Sequence, residues 1–420
     1  MSSFALNKRG LNSARRSLSV LFLFLLIGLI YVTFGNLLAG AGRIVPFRDQ
    51  LKMAMSAVGL CVLLRLSCRA DLVFGKDMLG LLLVFGIVIL VPTCFYYLSG
   101  YVSFQYGLLQ ISLSILWIAV FALSYWSGYK NPFLLERLGW MGLAVPIVFV
   151  LFAGVRTHIN EIGWTESVTM AYYALFLLPF VLLLHNKTIR WVFVAIIFAT
   201  LLLSSKRGGF IAFFLALIVY AVVEWQMAGK GDPKRVLLIL GSVILAMAFY
   251  YFFTSFTKAN NLAMLDRLEN LANDDGSGRP DVWACVWRMI LASDPMSLLI
   301  GHGFNTVYRA SPMGLSAHND FLEVIYDYGL IGFLLYLRLY YHVWQLYLRV
   351  KSDCSQLAPA FAASLVLMIF MSCMAHLIIY PTHFLLLCMF WGVIAGYLKS
   401  KGSVSPRGYC LLYTSDAADD

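Results

Sequence analysis

Apolar runs of about 17 to 25 residues recur along this chain, and that feature decides what it can fold into. Such a run, wound as a helix at about 1.5 Å per residue, matches the roughly 30 Å hydrocarbon slab of a bilayer. Burial in a water-soluble core does not account for them. Of 420 residues 61% are hydrophobic and 12% charged, whereas soluble domains carry about 25% charged residues. In lipid every backbone N–H and C=O must be satisfied within its own segment, so long runs without alternation are helices and not barrel strands. The expected fold class is all-α, a polytopic membrane protein.

Twelve helices are expected, over residues 17–40, 51–68, 77–98, 102–126, 138–154, 167–185, 188–204, 208–227, 235–256, 325–348, 357–379 and 382–398. Basic residues beside the spans set orientation. With the amino terminus inside, 19 of the 31 Lys+Arg fall on the inner side and 11 on the outer, while Arg338 lies within a span. Both termini are then cytoplasmic. The net charge of +10 reads as a topology signal and implies no nucleic acid partner. No small-residue cleavage site follows the first apolar run, so that helix is expected to be retained. Residues 410–420 resemble translated adapter sequence from a sequencing library and are set aside from the fold.

One loop, at about 257–324 between the ninth and tenth spans, is too long and too polar to be a plain connector. It is expected on the outer side, as the site-bearing domain between helices 1–9 (1–256) and helices 10–12 (325–400). Leucines at 262, 265, 268 and 271 suggest a short amphipathic helix. The turn Ser277-Gly-Arg-Pro-Asp opens a second helix, with Trp283 and Trp287 on one face. A Gly301-His-Gly turn follows. Then Ser316-Ala-His-Asn-Asp leads into the tenth helix, with Asn319 or Asp320 as its cap. Cys285 is the one cysteine of eight in this loop, and no Cys/His metal spacing occurs, so neither a disulfide nor a zinc site is expected.

These motifs together resemble the shared domain of O-antigen ligases and O-antigen polymerases: Ser204-Ser-Lys-Arg-Gly-Gly-Phe, Gly278-Arg279 with Trp283 and Trp287, Asp294-Pro295, Gly301-His-Gly-Phe-Asn, His318-Asn-Asp-Phe-Leu and Tyr328-Gly-Leu-Ile-Gly. The likeness spans about 201–337. It implies metal-independent, cofactor-free glycosyl transfer on the periplasmic face of the bacterial inner membrane. The donor would be a glycan on undecaprenyl diphosphate. The acceptor would be lipid A-core for a ligase, or a second lipid-linked glycan for a polymerase.

That chemistry needs cations for the diphosphate leaving group and a group that activates an acceptor hydroxyl. Arg207, beside Lys206 and ahead of two glycines at a helix start, and Arg279 in its turn are the expected diphosphate ligands. His318 is the candidate base, or alternatively a donor to the diphosphate. Asn319 is expected mainly as helix cap. His302 and Glu323 are weaker substrate-binding candidates, Glu323 with a solvated helical face as its commoner fate. Trp283 either stacks on sugar or anchors the loop to the bilayer. His376 and His383 bracket the last outer turn, where they would line a lipid entrance. A secondary transporter is less favoured, because such proteins place charge at the bilayer midplane and repeat their halves.

Overall fold

The computed structural model describes residues 22–38, 45–68, 78–99, 102–150, 165–203, 207–227 and 278–402. Among them every regular element is helical. The first half holds α1 (Phe22–Leu38), α2 (Arg48–Ser67), α3 (Met78–Leu98), α4 (Phe104–Lys130) and the short α5 (Leu134–Leu138). Next come α6 (Gly139–Val150), α7 (Thr165–Phe176), α8 (Leu178–Leu182), α9 (Lys187–Leu203) and α10 (Arg207–Met227). The site segment supplies α11 (Arg279–Leu291), α12 (Pro295–Ile300) and α13 (Thr306–Ala310). Then follow α14 (Asp320–Asp353), α15 (Ala358–Met374) and α16 (Pro381–Gly402).

Six of the twelve expected ranges correspond to helices long and apolar enough to cross a membrane: α2, α3, α4, α10, α15 and α16. The expected ninth span, 235–256, and the leucine-patterned helix at 262–271 lie outside the described residues. Range 138–154 is described as far as residue 150 and there holds α6, and range 167–185 is divided at Leu177 ahead of Pro179. Pro179 is the reason, because proline removes one helix donor and crowds the preceding turn. The expected tenth span sits inside α14, which starts earlier, at Asp320, and breaks at Gly329. Arg338, His342 and Gln345 make its apolar stretch less uniform than the sequence reading allowed.

The helices alternate in direction. Tyr97, near the end of α3, donates to the carbonyl of Phe304 (2.9 Å) in the site segment. Arg309 lies over the rings of Tyr97 and Tyr106, so α4 starts at this site end. Its far end, Lys130, sits over Trp126, where Arg65 of α2 also arrives. At that opposite end Arg190 of α9 donates to Leu184 O and Tyr220 Oη. Arg207 therefore begins α10 roughly 20 Å back along the helix from Tyr220, toward the site end. The core lies between α4 and α16, where Trp117, Phe121, Phe384 and Trp391 are almost fully buried.

Candidate functional site

The site is built on the break in α14. Gly329 has φ 66° and ψ −173°, a conformation essentially reserved for glycine. The break frees the carbonyls of Tyr326 and Asp327 from the next helical turn, and buried carbonyls need replacement donors. The loop after α12 supplies them: His302 N donates to Tyr326 O (3.1 Å) and Gly303 N to Asp327 O (2.8 Å). This contact is backbone against backbone. A Cβ on Gly301 would run into the Asp327 carbonyl, and one on Gly329 into that of Leu299.

Asp327 then organises the same loop with its side chain. It accepts from Asn305 N (2.7 Å), Thr306 N (3.1 Å), Val307 N (3.2 Å) and Thr306 Oγ1 (2.7 Å), capping α13, whose own N-cap, Asn305, makes no side-chain cap. The imidazole of His302 stacks on Tyr326 at 4.1 Å, with Nδ1 3.0 Å from Tyr326 O. The Gly-His-Gly turn is thus a buckle joining α12 to α14, and His302 is engaged in it.

The loop bearing His318 is held from two sides at Ala317. Trp283 Nε1 donates to Ala317 O (2.8 Å), and Ala317 N donates to Glu323 Oε1 (2.6 Å). Around this clamp a small core of Val282, Val286, Ile290, Val307, Ala317 and Tyr326 packs α11 against α13 and α14. Trp283 therefore orients the His318 loop. Asn319 caps α14, its Oδ1 accepting from Phe321 N (3.0 Å) and Leu322 N (3.3 Å). His318 itself is exposed and takes φ 51°, the left-handed region that a non-glycine residue occupies only when its surroundings hold it there.

Glu323, whose commoner fate was a solvated face, is fully buried. The helical period correctly sets it one turn beyond Asn319, but the 316–318 loop and the turn after α15 cover that face. Burial drives its carboxyl up to about 8, against the pull of the Ala317 and His318 N–H groups. Asp320, also fully buried, rises to about 7 by the same desolvation, opposed by the His376 charge and the Leu377 N–H. Both oxygens of Asp320 lie 3.0 Å from Leu377 N. Tyr336 Oη donates to Asp320 (3.0 Å) and lies 2.8 Å from Ser372 Oγ.

The turn between α15 and α16 ties these groups together. Arg279 Nη1 reaches Met374 Sδ at 3.5 Å, and among the described residues no carboxylate pairs with it. Its charge is felt at Tyr172 of α7, which packs edge-on against His383. His376 lies against the His318 ring, centroids 4.3 Å apart, with Nδ1 3.3 Å from Glu323 Oε1. The structure thus brings together His318, Asn319, Glu323, Trp283 and Arg279. Arg207 opens α10, which packs along α15; Lys206 lies outside the described residues.

Sequence reasoning gave Asp320 no role beyond capping and set His376 only at a lipid entrance. Aspartate next to the histidine at a helix start was the available signal for the first. Nothing local signals the second, because its partners lie more than 50 residues upstream.

Residues 192–337 match the family model described as O-antigen ligase. The match takes in Lys206, Arg207, Arg279, Trp283, His302, His318, Asn319 and Glu323, and it stops short of the turn carrying Met374, His376 and Leu377 and of His383. Comparison with curated proteins gives no match. The chain has several helices long and apolar enough to cross a membrane, and residues 192–337 of it are similar to the O-antigen ligase family.

Proposed function

We propose that this chain, as the carrier of an O-antigen ligase domain, transfers a glycan from undecaprenyl diphosphate to lipid A-core at the periplasmic face of the inner membrane. The observation that carries the reading is the convergence at one turn. Residues 374–377 touch Arg279, His318, Glu323 and Asp320, so a guanidinium and an exposed imidazole both have a partner in this one turn.

Arg279 binds the diphosphate, and Arg207, from the start of α10, supplies the second cation. A planar guanidinium suits this, since it presents paired donors to phosphate oxygens and stays charged at any working pH. His318 takes the proton of the acceptor hydroxyl as that oxygen attacks the anomeric carbon, while the bond to the diphosphate breaks. Charge developing on the leaving group is met by the arginines, which is where electrostatic stabilisation lowers the barrier.

Purified protein in vesicles, given a lipid-linked glycan with and without lipid A-core, tests the reading. Glycan attached to lipid A-core supports it, whereas chain growth without lipid A-core overturns the ligase assignment in favour of a polymerase. Arg207→Ala, Arg279→Ala and His318→Ala are each expected to abolish transfer while the protein still inserts.

A further inference from the structure

The helices α11 and α12 are apolar on two sides, and the fold uses only one of them. Val282, Val286 and Ile290 of α11 and Leu298 of α12 meet in the small core around Ala317. On the other side Trp287 and Leu291 stand one turn apart on α11, and Met296 and Leu299 one turn apart on α12, all four exposed. Leu291 is 69% exposed and Met296 63%. The transfer scheme gives these side chains no task, and large apolar side chains exposed in such number on one short segment mark a contact with something other than water.

Two contacts fix the depth of this corner. The first is to α3, a helix long and apolar enough to cross a membrane, which ends at Leu98 and exposes Ile87, Val91 and Phe95 along one side. Phe304, in the loop that follows α12, enters the last turns of that helix. Its N–H donates to Thr93 Oγ1 (3.1 Å), and its carbonyl accepts from Tyr97 Oη (2.9 Å). Thr93 lies about 7 Å of helix before the end of the span. The second contact is to α14. The backbone of Leu299 lies against Gly329, where an exposed apolar stripe of Leu330, Leu334, Leu337 and Tyr341 begins, with Arg338 on its flank. The segment from α12 to Phe304 is therefore bracketed by the site ends of two apolar surfaces of the kind that face lipid.

We propose that the corner between α11 and α12 is seated in the bilayer interface at the site end, with Trp287, Leu291, Met296 and Leu299 against the acyl chains. The occupant of this face is lipid and not a second copy of the chain, because the face continues the exposed apolar sides of α3 and α14. A surface helix seated in this way buries its apolar side about 5 to 10 Å into the boundary of headgroups and acyl chains. Arg288 and Asp294, both exposed, then lie at headgroup level, and Asp294 keeps its cap on α12 by accepting from Met296 N and Ser297 N. Since α11 carries Arg279 and Trp283 toward its other end, the seated end sets the height of the site segment on the bilayer. Its meaning for a lipid-linked donor rests on the transfer proposed above, whereas the seating itself does not.

The test places a photoreactive benzophenone side chain at Leu291, Met296 or Leu299 of the full chain, in vesicles of phospholipid with tritiated acyl chains. Leu334, within the α14 stripe, is the lipid-facing reference, and Asp353, at the far end of α14, is the reference outside the hydrocarbon. Illumination is expected to attach labelled lipid at all three positions with a yield within about threefold of that at 334 and at least about tenfold above that at 353, since acyl chains reach the first set and not the last. A yield no higher than at 353 puts this face in water and overturns the inference. Crosslinks to a second copy, or to another part of the same chain, in place of lipid overturn it as well. Trp287 gives a reading without a probe if those variants fail to insert. The fluorescence lost in Trp287→Phe should be quenched in wild type by phospholipid brominated on its acyl chains and spared by aqueous iodide, and the reverse pattern sinks the proposal. Neither measurement involves turnover, so an inactive protein that labels with lipid defeats only the transfer scheme, and an active one that does not label defeats only the seating.

Discussion

The indole N–H of Trp283 donates to the carbonyl of Ala317 at 2.8 Å, one residue before His318. A side chain on α11 thus sets the path of the loop that presents the imidazole. Trp283→Phe keeps the apolar body inside its small core and removes this hydrogen bond, a net loss of about 1 kcal/mol in stability. The larger effect is expected on rate, since a small misplacement of a reacting group is costly. Transfer should fall roughly tenfold with the amount of inserted protein unchanged, measured as kcat against protein recovered in the membrane. Wild-type kcat would remove Trp283 from the positioning of His318.

Asp320 joins α14 to the turn after α15 by accepting from Leu377 N and Tyr336 Oη. Asp320→Ala strands the buried Leu377 N–H and leaves Tyr336 Oη with Ser372 and Tyr340 alone, at a cost of about 1 to 3 kcal/mol. Thermal unfolding in detergent should show a lowered Tm. Asp320→Asn, which still offers an oxygen, should lose less. Equal Tm for the Ala variant and wild type would show that the contact does not hold the turn.

The close approach of 299–301 to 327–329 leaves no room for a side chain at Gly301 or Gly329. Gly301→Ala and Gly329→Ala are expected to fail to accumulate as folded protein. Gly208→Ala, where a Cβ meets open space, is the control and should accumulate normally. Normal yield of either buckle variant in size-exclusion chromatography would contradict the packing described.

Glu323 gives a pH dependence with a definite sign. Its carboxyl is raised from 4.5 to about 8 in the folded protein, so between those values the folded state binds more protons than the unfolded state. Stability from this group is therefore complete below about pH 4.5 and is lost as pH rises through about 8. Asp320, raised from 3.8 to about 7, acts in the same direction over a lower window. Tm of the wild type should fall from pH 5 to 9, and Glu323→Gln should flatten the upper part of that fall. An unchanged slope in Glu323→Gln would mean that the carboxyl is not the titrating group.

The sequence by itself determined the helical membrane class, because the length of an apolar run is a local property and lipid leaves the backbone no alternative. It also determined the local signals: Asn319 as cap, Pro280 opening α11, and the ordered motifs from Arg279 to Gly329. The span count is less legible, since α14 mixes a polar first part, a glycine break and an apolar stretch carrying Arg338, and a window of hydropathy averages across all three. The tertiary structure alone decided that Glu323 is buried and that His302 serves a buckle. It alone decided that His376 meets His318 from the far side of two further helices. Such contacts depend on how α14, α15 and α16 pack, and packing is settled by shape and close approach across long sequence separation, which residue periodicity along one helix does not encode.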